Sequence, residues 1–212
     1  MFYQPKDKLF ANTATDTTHK DKLVIGVAIN KEARAYPIEI IGYHHQVKDT
    51  VGGQPILVTY CTVCRTGRVY SPFVKGRPEL FRLVGMDHFN AMFEDAGTGS
   101  WWQQATGVAI TGPLKGARLP EIPSAQMSLG DWQTLHPGSL TLQPDPHFKA
   151  KYDSLKGYDE GTILPDNRTF YALTRPDSLH FHYDTLTHLL KDERTGGTWK
   201  ADGECVEPMC GT

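Results

Sequence analysis

The chain has 212 residues, 39% of them apolar and 22% charged, which suits an ordinary globular protein with enough length for one large or two small domains. A net charge of −2 supplies no global cationic field for a polyanion, so nucleic acid is excluded as the expected partner. No run approaches the ~18 apolar residues that span a bilayer, and Met1 to Lys6 lacks the apolar stretch of a signal peptide. The expectation is a soluble protein, either cytoplasmic or exported with its signal already removed.

Twenty Gly and fourteen Pro, with many Tyr, Thr, Val and Phe, point to short strands and tight turns. Residues 1–22 read as a polar, loosely ordered lead-in. Leu23 to Ile29 reads as a buried strand, Asn30 to Glu32 as a turn and Ala33 to Tyr36 as a returning strand. Pro37 then opens a short helix, Ile38 to Tyr43, with His44 and His45 where it ends. After the turn Val51-Gly52-Gly53 comes a strong strand, Pro55 to Tyr60, then Cys61-Thr62-Val63-Cys64, then a strand from Gly67 to Ser71. Further strands are expected at Glu79 to Val84 and Asn90 to Glu94, and a hairpin meander from Gly99 to Gly116. Gln126 to Leu135 reads as an amphipathic helix stopped by His136-Pro137. A polar connector runs from Gln143 to Asp166, Phe170 to Leu173 restarts strand character, and Tyr183 to Leu190 reads as a short helix.

The chain also echoes itself. Thr98-Gly99-Ser100-Trp101-Trp102 followed by Gly112-Pro113-Leu114-Lys115-Gly116 resembles Thr195-Gly196-Gly197-Thr198-Trp199 followed by Glu207-Pro208-Met209-Cys210-Gly211. This reads as a duplicated β unit whose second copy is truncated or diverged. The expected organisation is the lead-in to residue 22, a main β-rich domain over 23–142, and a C-terminal β extension or partial repeat over 143–212.

Four cysteines in two local pairs, Cys61/Cys64 and Cys205/Cys210, are too few for a disulfide scaffold at this length. The first pair carries the chemistry. In one reading it is a redox dithiol, one thiolate attacking and the other cysteine resolving a mixed disulfide or sulfenate, with Arg65 and Arg68 favouring the charged sulfur. Against this, thioredoxin-type pairs open a helix, and no helix is evident after Cys64. In the second reading the strand–Cys-X-X-Cys–Gly turn is a knuckle giving two thiolates to Zn or Cu, with His45 as a third ligand. In the third, both cysteines are buried apolar residues of a non-catalytic binding module. Nothing beyond their number supports a role for Cys205 and Cys210.

His45 stands before the central strand, where it reaches the cysteine turn if the segments are adjacent. Met86 to Asn90 is polar within an apolar region, making His88 and Asn90 candidates for a pocket rim. Trp102 is either core or ligand platform, and Arg34 either pocket cation or strand-face ion pair. The acidic residues are scattered, with no pair whose spacing singles it out for acid–base catalysis, and no Gly-X-Ser-X-Gly or phosphate loop appears.

Glu32-Ala33-Arg34-Ala35-Tyr36-Pro37, His45 ahead of Asp49, Val58 to Gly67 around the cysteines, Gly85 to Asp95, and Gly112 to Gly116 together resemble the bacterial and archaeal family numbered 3179 among domains of unknown function. The resemblance covers about residues 23–146. Some members are selenoproteins with selenocysteine in the cysteine motif, which implies a redox role, and members are often exported or lipid-anchored. The C-terminal third departs from the pattern.

The expectation is therefore an α+β, β-dominated fold of mostly antiparallel strands with a few short helices. Its first functional reading is a thiol oxidoreductase or redox-responsive protein with catalytic Cys61, Cys64 and His45. Arg34, Arg65, His88, Asn90 and Trp102 are the candidate substrate contacts. No cofactor is certain, Zn or Cu being the alternative, and the partner is a small molecule or a protein thiol or disulfide.

Overall fold

A computed structural model describes residues 4–87 and 90–158 in full, and the backbone of strands within 181–200. Residues 1–171 and 172–212 form two compact units. The chain is β-dominated, its sheets mostly antiparallel, with short helices between them.

In the first unit, β1 (Phe10–Asn12), β2 (Leu23–Ile29) and β3 (Glu32–Pro37) are followed by α1 (Ile38–His44), β4 (Gln46–Val51), β5 (Gln54–Cys61) and β6 (Thr66–Tyr70). Next come β7 (Phe73–Val74), β8 (Arg77–Pro78), β9 (Phe81–Asp87), β10 (Asn90–Asp95), β11 (Trp101–Gln103), β12 (Ala109–Thr111) and β13 (Ala125–Ser128). Finally α2 (Leu129–Leu135), β14 (Leu140–Leu142) and α3 (Lys149–Tyr152) lead to a turn ending at Tyr158.

Turn chemistry sets the hairpins. Gly52 and Gly53 both take positive φ between β4 and β5, as do Asn30 and Lys31 between β2 and β3. Two consecutive positive-φ residues make the tight turn whose twist matches paired strands. A side chain at Gly52 would also collide with the Ile29 carbonyl.

The sheets have the orders β1-β14-β3-β2-β13, β4-β5-β6, β12-β11-β10-β9 and β7-β8; among the described residues only β14 with β3 is parallel. As the middle strand of its sheet, β5 is buried on both faces from Ile56 to Cys61. Its period of two divides the interior. Ile56, Val58 and Tyr60 enter one core with Ile25, Tyr36, Ile41 and Val69. Leu57 and Cys61 face the other way, into a core with Tyr70, Phe81, Phe93 and Trp102. That alternation fixes the side of the sheet on which the cysteine pair lies.

Three expectations change. The helix expected over Gln126 to Leu135 begins at Leu129, because Ala125–Ser128 pairs with β2 and the Ser128 hydroxyl caps the helix by accepting from the Asp131 N–H at 3.1 Å. The lead-in is tied down: Phe10–Asn12 pairs with β14, and the Asp145 carboxylate accepts from the Lys6 and Asp7 amides. At the two ends of the helix expected over Tyr183 to Leu190, Tyr183 and Asp184, and Leu189 and Leu190, are strand residues.

Those strands, β15 (Phe181–Asp184) and β16 (Leu189–Asp192), form an antiparallel meander with β17 (Thr198–Lys200) in the second unit. Its register repeats that of the β9–β11 meander. Phe81 pairs with Asp95 and Phe93 with Trp102; Phe181 pairs with Asp192 and Leu190 with Trp199. The sequence echo around the tryptophans is thus an echo of strand pairing. Phe170 to Leu173, Cys205 and Cys210 lie outside the described residues. Among the described residues no helix is long and apolar enough to cross a membrane.

Candidate functional site

Cys61 ends β5 and pairs with Thr66 at the start of β6, so Thr62 to Arg65 form the turn between neighbouring strands. Arg65 closes it at φ 51°, the left-handed conformation that costs an ordinary residue about 1–3 kcal/mol and is kept where surrounding structure imposes it. The two sulfurs are 2.8 Å apart, hydrogen-bonded and not joined as a disulfide. Thiolates sharing a tetrahedral zinc at about 2.3 Å each stand roughly 3.7 Å apart, whereas a disulfide needs about 2.05 Å. The pair stands between the two spacings, within about 1 Å of either.

Its surroundings favour one ionised sulfur. The Cys61 thiol is lowered to about 6, first by its hydrogen bond with Cys64 and, against the opposing effect of burial, by the N–H groups of Cys64, Ala91 and Val63. The Cys64 N–H lies 3.3 Å from Cys61 Sγ. Turn and neighbouring hairpin thereby supply the amide donors that a helix N-terminus provides elsewhere. Asn90 adds a side-chain contact, its Oδ1 3.6 Å from Cys64 Sγ. Both sulfurs are buried, Cys61 2% and Cys64 7% exposed, while Val63 between them is 42% exposed.

The other flank is closed by Tyr158. Its hydroxyl donates to the Thr62 carbonyl, its ring stands edge-on to Tyr60, and the Arg65 guanidinium sits 4.7 Å from the ring centroid. Burial raises the Tyr158 hydroxyl's pKa, and the two nearby sulfurs add to that effect. Leu155 and Thr62 also converge over Gly42 of α1. Sequence reasoning did not single out Tyr158; its one signal was an aromatic residue directly after a turn glycine, Gly157, at φ 76°.

Over residues 6–203 the chain matches the family model described as a protein of unknown function, DUF3179. The chain belongs to that family. No curated protein and no solved structure matches it.

In this DUF3179 chain the remaining candidate residues separate. His45 caps α1 in the left-handed conformation (φ 60°), donating its N–H to Ile41 O at 2.7 Å and accepting at its carbonyl from Tyr60 N–H at 2.9 Å. Its Nδ1 is 3.3 Å from the Tyr60 carbonyl, and burial lowers its pKa, so the ring is neutral near pH 7. His45 therefore meets the backbone of the residue before Cys61. Among the described residues, no third His, Cys, Asp or Glu ligand atom lies within 4.8 Å of both sulfurs; the group of three meeting that spacing is Asp7, Asp145 and His147. There the Asp145 carboxylate is already saturated by the Lys6, Asp7 and His147 N–H groups and by His147 Nδ1.

Arg34 is a strand-face ion pair. Its guanidinium meets Asp49 at 2.6 Å and Glu32 at 2.6 Å and lies over Phe10. Tyr36 donates to the same Asp49 oxygen at 2.8 Å, and Glu32 accepts from the Gly52 N–H at 2.6 Å. The Glu-Ala-Arg-Ala-Tyr motif thus locks β3 to β4 and its turn. Trp102 is in the second core, 3% exposed, its indole N–H donating to Asp95 at 2.8 Å. Arg68 pairs with Glu121 at 3.1 Å on the surface. His88 lies outside the described residues.

Proposed function

We propose that this protein is a thiol-based redox protein whose working group is the Cys61–Cys64 dithiol. The observation that carries the reading is the 2.8 Å sulfur–sulfur contact in a turn whose amides converge on one of the sulfurs. An ionised sulfur beside a protonated one is the starting arrangement for two-electron oxidation. The Cys61 thiolate attacks an electrophilic sulfur or oxygen of an oxidant, whose leaving group departs with the electron pair of the broken bond. Cys64 then attacks Cys61, expels what was added, and closes the disulfide. Two electrons leave the dithiol and reduce the oxidant. Closure needs the sulfurs to approach by under about 1 Å, within side-chain rotation.

The test is elemental analysis of protein purified without chelator, paired with thiol counts before and after mild reduction. Metal-free protein with a reversible 61–64 disulfide is expected. Stoichiometric Zn or Cu that is lost on Cys61→Ser would replace this reading with the metal-binding one, using Cys61, Cys64 and His45. Thiols that stay reduced and metal-free under all oxidants would make the cysteines structural and the protein a binding module.

A further inference from the structure

The substrate class follows from how the sulfurs are enclosed. Attack on a disulfide brings three sulfurs close to a line, so the nucleophile must meet a sulfur that carries bulky substituents on both sides. Cys61 is 2% exposed and Cys64 7%. One flank of their turn is held by Tyr158 against Thr62, Arg65 and Tyr60. The other is held by β10, which contributes the Ala91 amide to Cys61 and the Asn90 carboxamide to Cys64. Groups this close to both sulfurs crowd a protein disulfide far more than a molecule built on two bonded oxygen atoms, which occupy little more room than two waters.

We propose, resting on the redox reading above, that the oxidant of this dithiol is a small hydroperoxide, with Cys61 the attacking sulfur and Cys64 the resolving one. The Cys61 thiolate attacks one peroxide oxygen: the S–O bond forms, the O–O bond breaks, and the departing oxygen takes the proton shared with Cys64. Cys64, now the thiolate, attacks the Cys61 sulfenic acid; the S–S bond forms, the S–O bond breaks, and the hydroxide released gains a solvent proton. One dithiol monoanion, one hydroperoxide and one proton give one disulfide, one alcohol (or water) and one water. The sulfur contact of 2.8 Å lets the second step follow without any opening of the turn.

The experiment uses the full chain carrying Cys205→Ser and Cys210→Ser, reduced, with chelator present, and reads the 61–64 disulfide by peptide mass after treatment with hydrogen peroxide or glutathione disulfide at equal concentration. Peroxide is expected to close the disulfide at least about tenfold faster. Cys64→Ser is expected to stop at a Cys61 sulfenic acid, read as one added oxygen by mass, and Cys61→Ser to give no such adduct at Cys64. Tyr158→Ala is expected to narrow the peroxide-to-glutathione ratio by opening the flank, and Tyr158→Phe, which keeps the ring, to preserve it. Equal rates with both oxidants, an adduct on Cys64 in place of Cys61, or a ratio indifferent to Tyr158→Ala each overturn the inference. Closure by glutathione disulfide but not by peroxide overturns it while the redox reading stands. Closure by neither removes both.

Discussion

Cys64→Ala isolates the largest contribution to the acidity of Cys61. The substitution removes the thiol that hydrogen-bonds to the Cys61 sulfur at 2.8 Å but leaves the backbone amides of residues 63, 64 and 91. A hydrogen bond to a charged group is worth about 1.5–3 kcal/mol, and one pKa unit corresponds to about 1.4 kcal/mol. The Cys61 pKa, near 6 in the native chain, should therefore rise by about 1–2 units in Cys64→Ala. At pH 6.5 this takes Cys61 from mostly thiolate to mostly thiol, so its alkylation by iodoacetamide should slow about tenfold, while at pH 9 the two proteins should converge. Cys64→Ser keeps an O–H donor and should shift the titration less. The measurement is thiolate absorbance at 240 nm against pH with Cys205 and Cys210 replaced by Ser. An unchanged titration in Cys64→Ala refutes the reasoning, since the sulfur contact would then contribute nothing to ionisation.

The same depressed pKa makes the stability of the reduced protein depend on pH: the contribution is complete above the unfolded thiol's value of about 8.5 and is lost as pH falls through about 6. Urea midpoints at pH 8.5 and 5.5 should therefore differ more for the parent than for Cys61→Ser. Asp49→Ala leaves Arg34 with Glu32 alone and the Tyr36 hydroxyl without its acceptor, at a carboxylate site only 6% exposed, and should cost roughly 1–3 kcal/mol in urea unfolding, with Asp49→Asn recovering part of the loss. Gly26→Ala drives a methyl into the face of the Trp132 ring and should cost about 1–3 kcal/mol, read by thermal melting. Asp145, held near 2 by amides that outweigh its burial, contributes stability above its unfolded value of about 3.9 that fades as pH falls towards 2. The native protein should accordingly lose more between pH 4 and pH 2 than Asp145→Asn does.

What the sequence disclosed was mainly local. The apolar run of β5 after a Gly-Gly pair reads directly as a buried strand, and its period of two then gives the face of Cys61. The helix α1 was also legible, with His44 and His45 at its end, whereas the strand β4 that follows was not. Gln46–Val51 is polar in composition and becomes a strand through pairing with β5 along its whole length. The three-residue strands β1 and β14 exist through one another and through the parallel pairing with β3, contacts too distant in sequence for any local pattern. Tyr183, Leu189 and Leu190 fell within an expected helix, yet pairing of β16 with both β15 and β17 makes them strand residues. At the site, Cys61, Cys64, Arg65 and Asn90 were named from the sequence and come together. Arg34 and Trp102 carried the right chemistry for a pocket but have partners in Asp49 and Asp95 that only the fold supplies.

The absence of a helix after Cys64 counts against the redox reading only if a helix N-terminus is the sole means of acidifying a Cys-X-X-Cys thiol. The physical requirement, however, is N–H groups aimed at sulfur, and a helix is one way to aim them. Here the bend between β5 and β6 turns the Val63 and Cys64 amides inward, and β10 brings Ala91 from a different sheet. The acidity of Cys61 consequently draws in part on the docking of two hairpins, a long-range contribution that a helix-borne pair lacks. Loosening β9–β10 against β5–β6 removes the Ala91 amide but also relieves the burial that opposes ionisation, so the Cys64 thiol and the turn's own amides keep most of that acidity for as long as the turn itself survives.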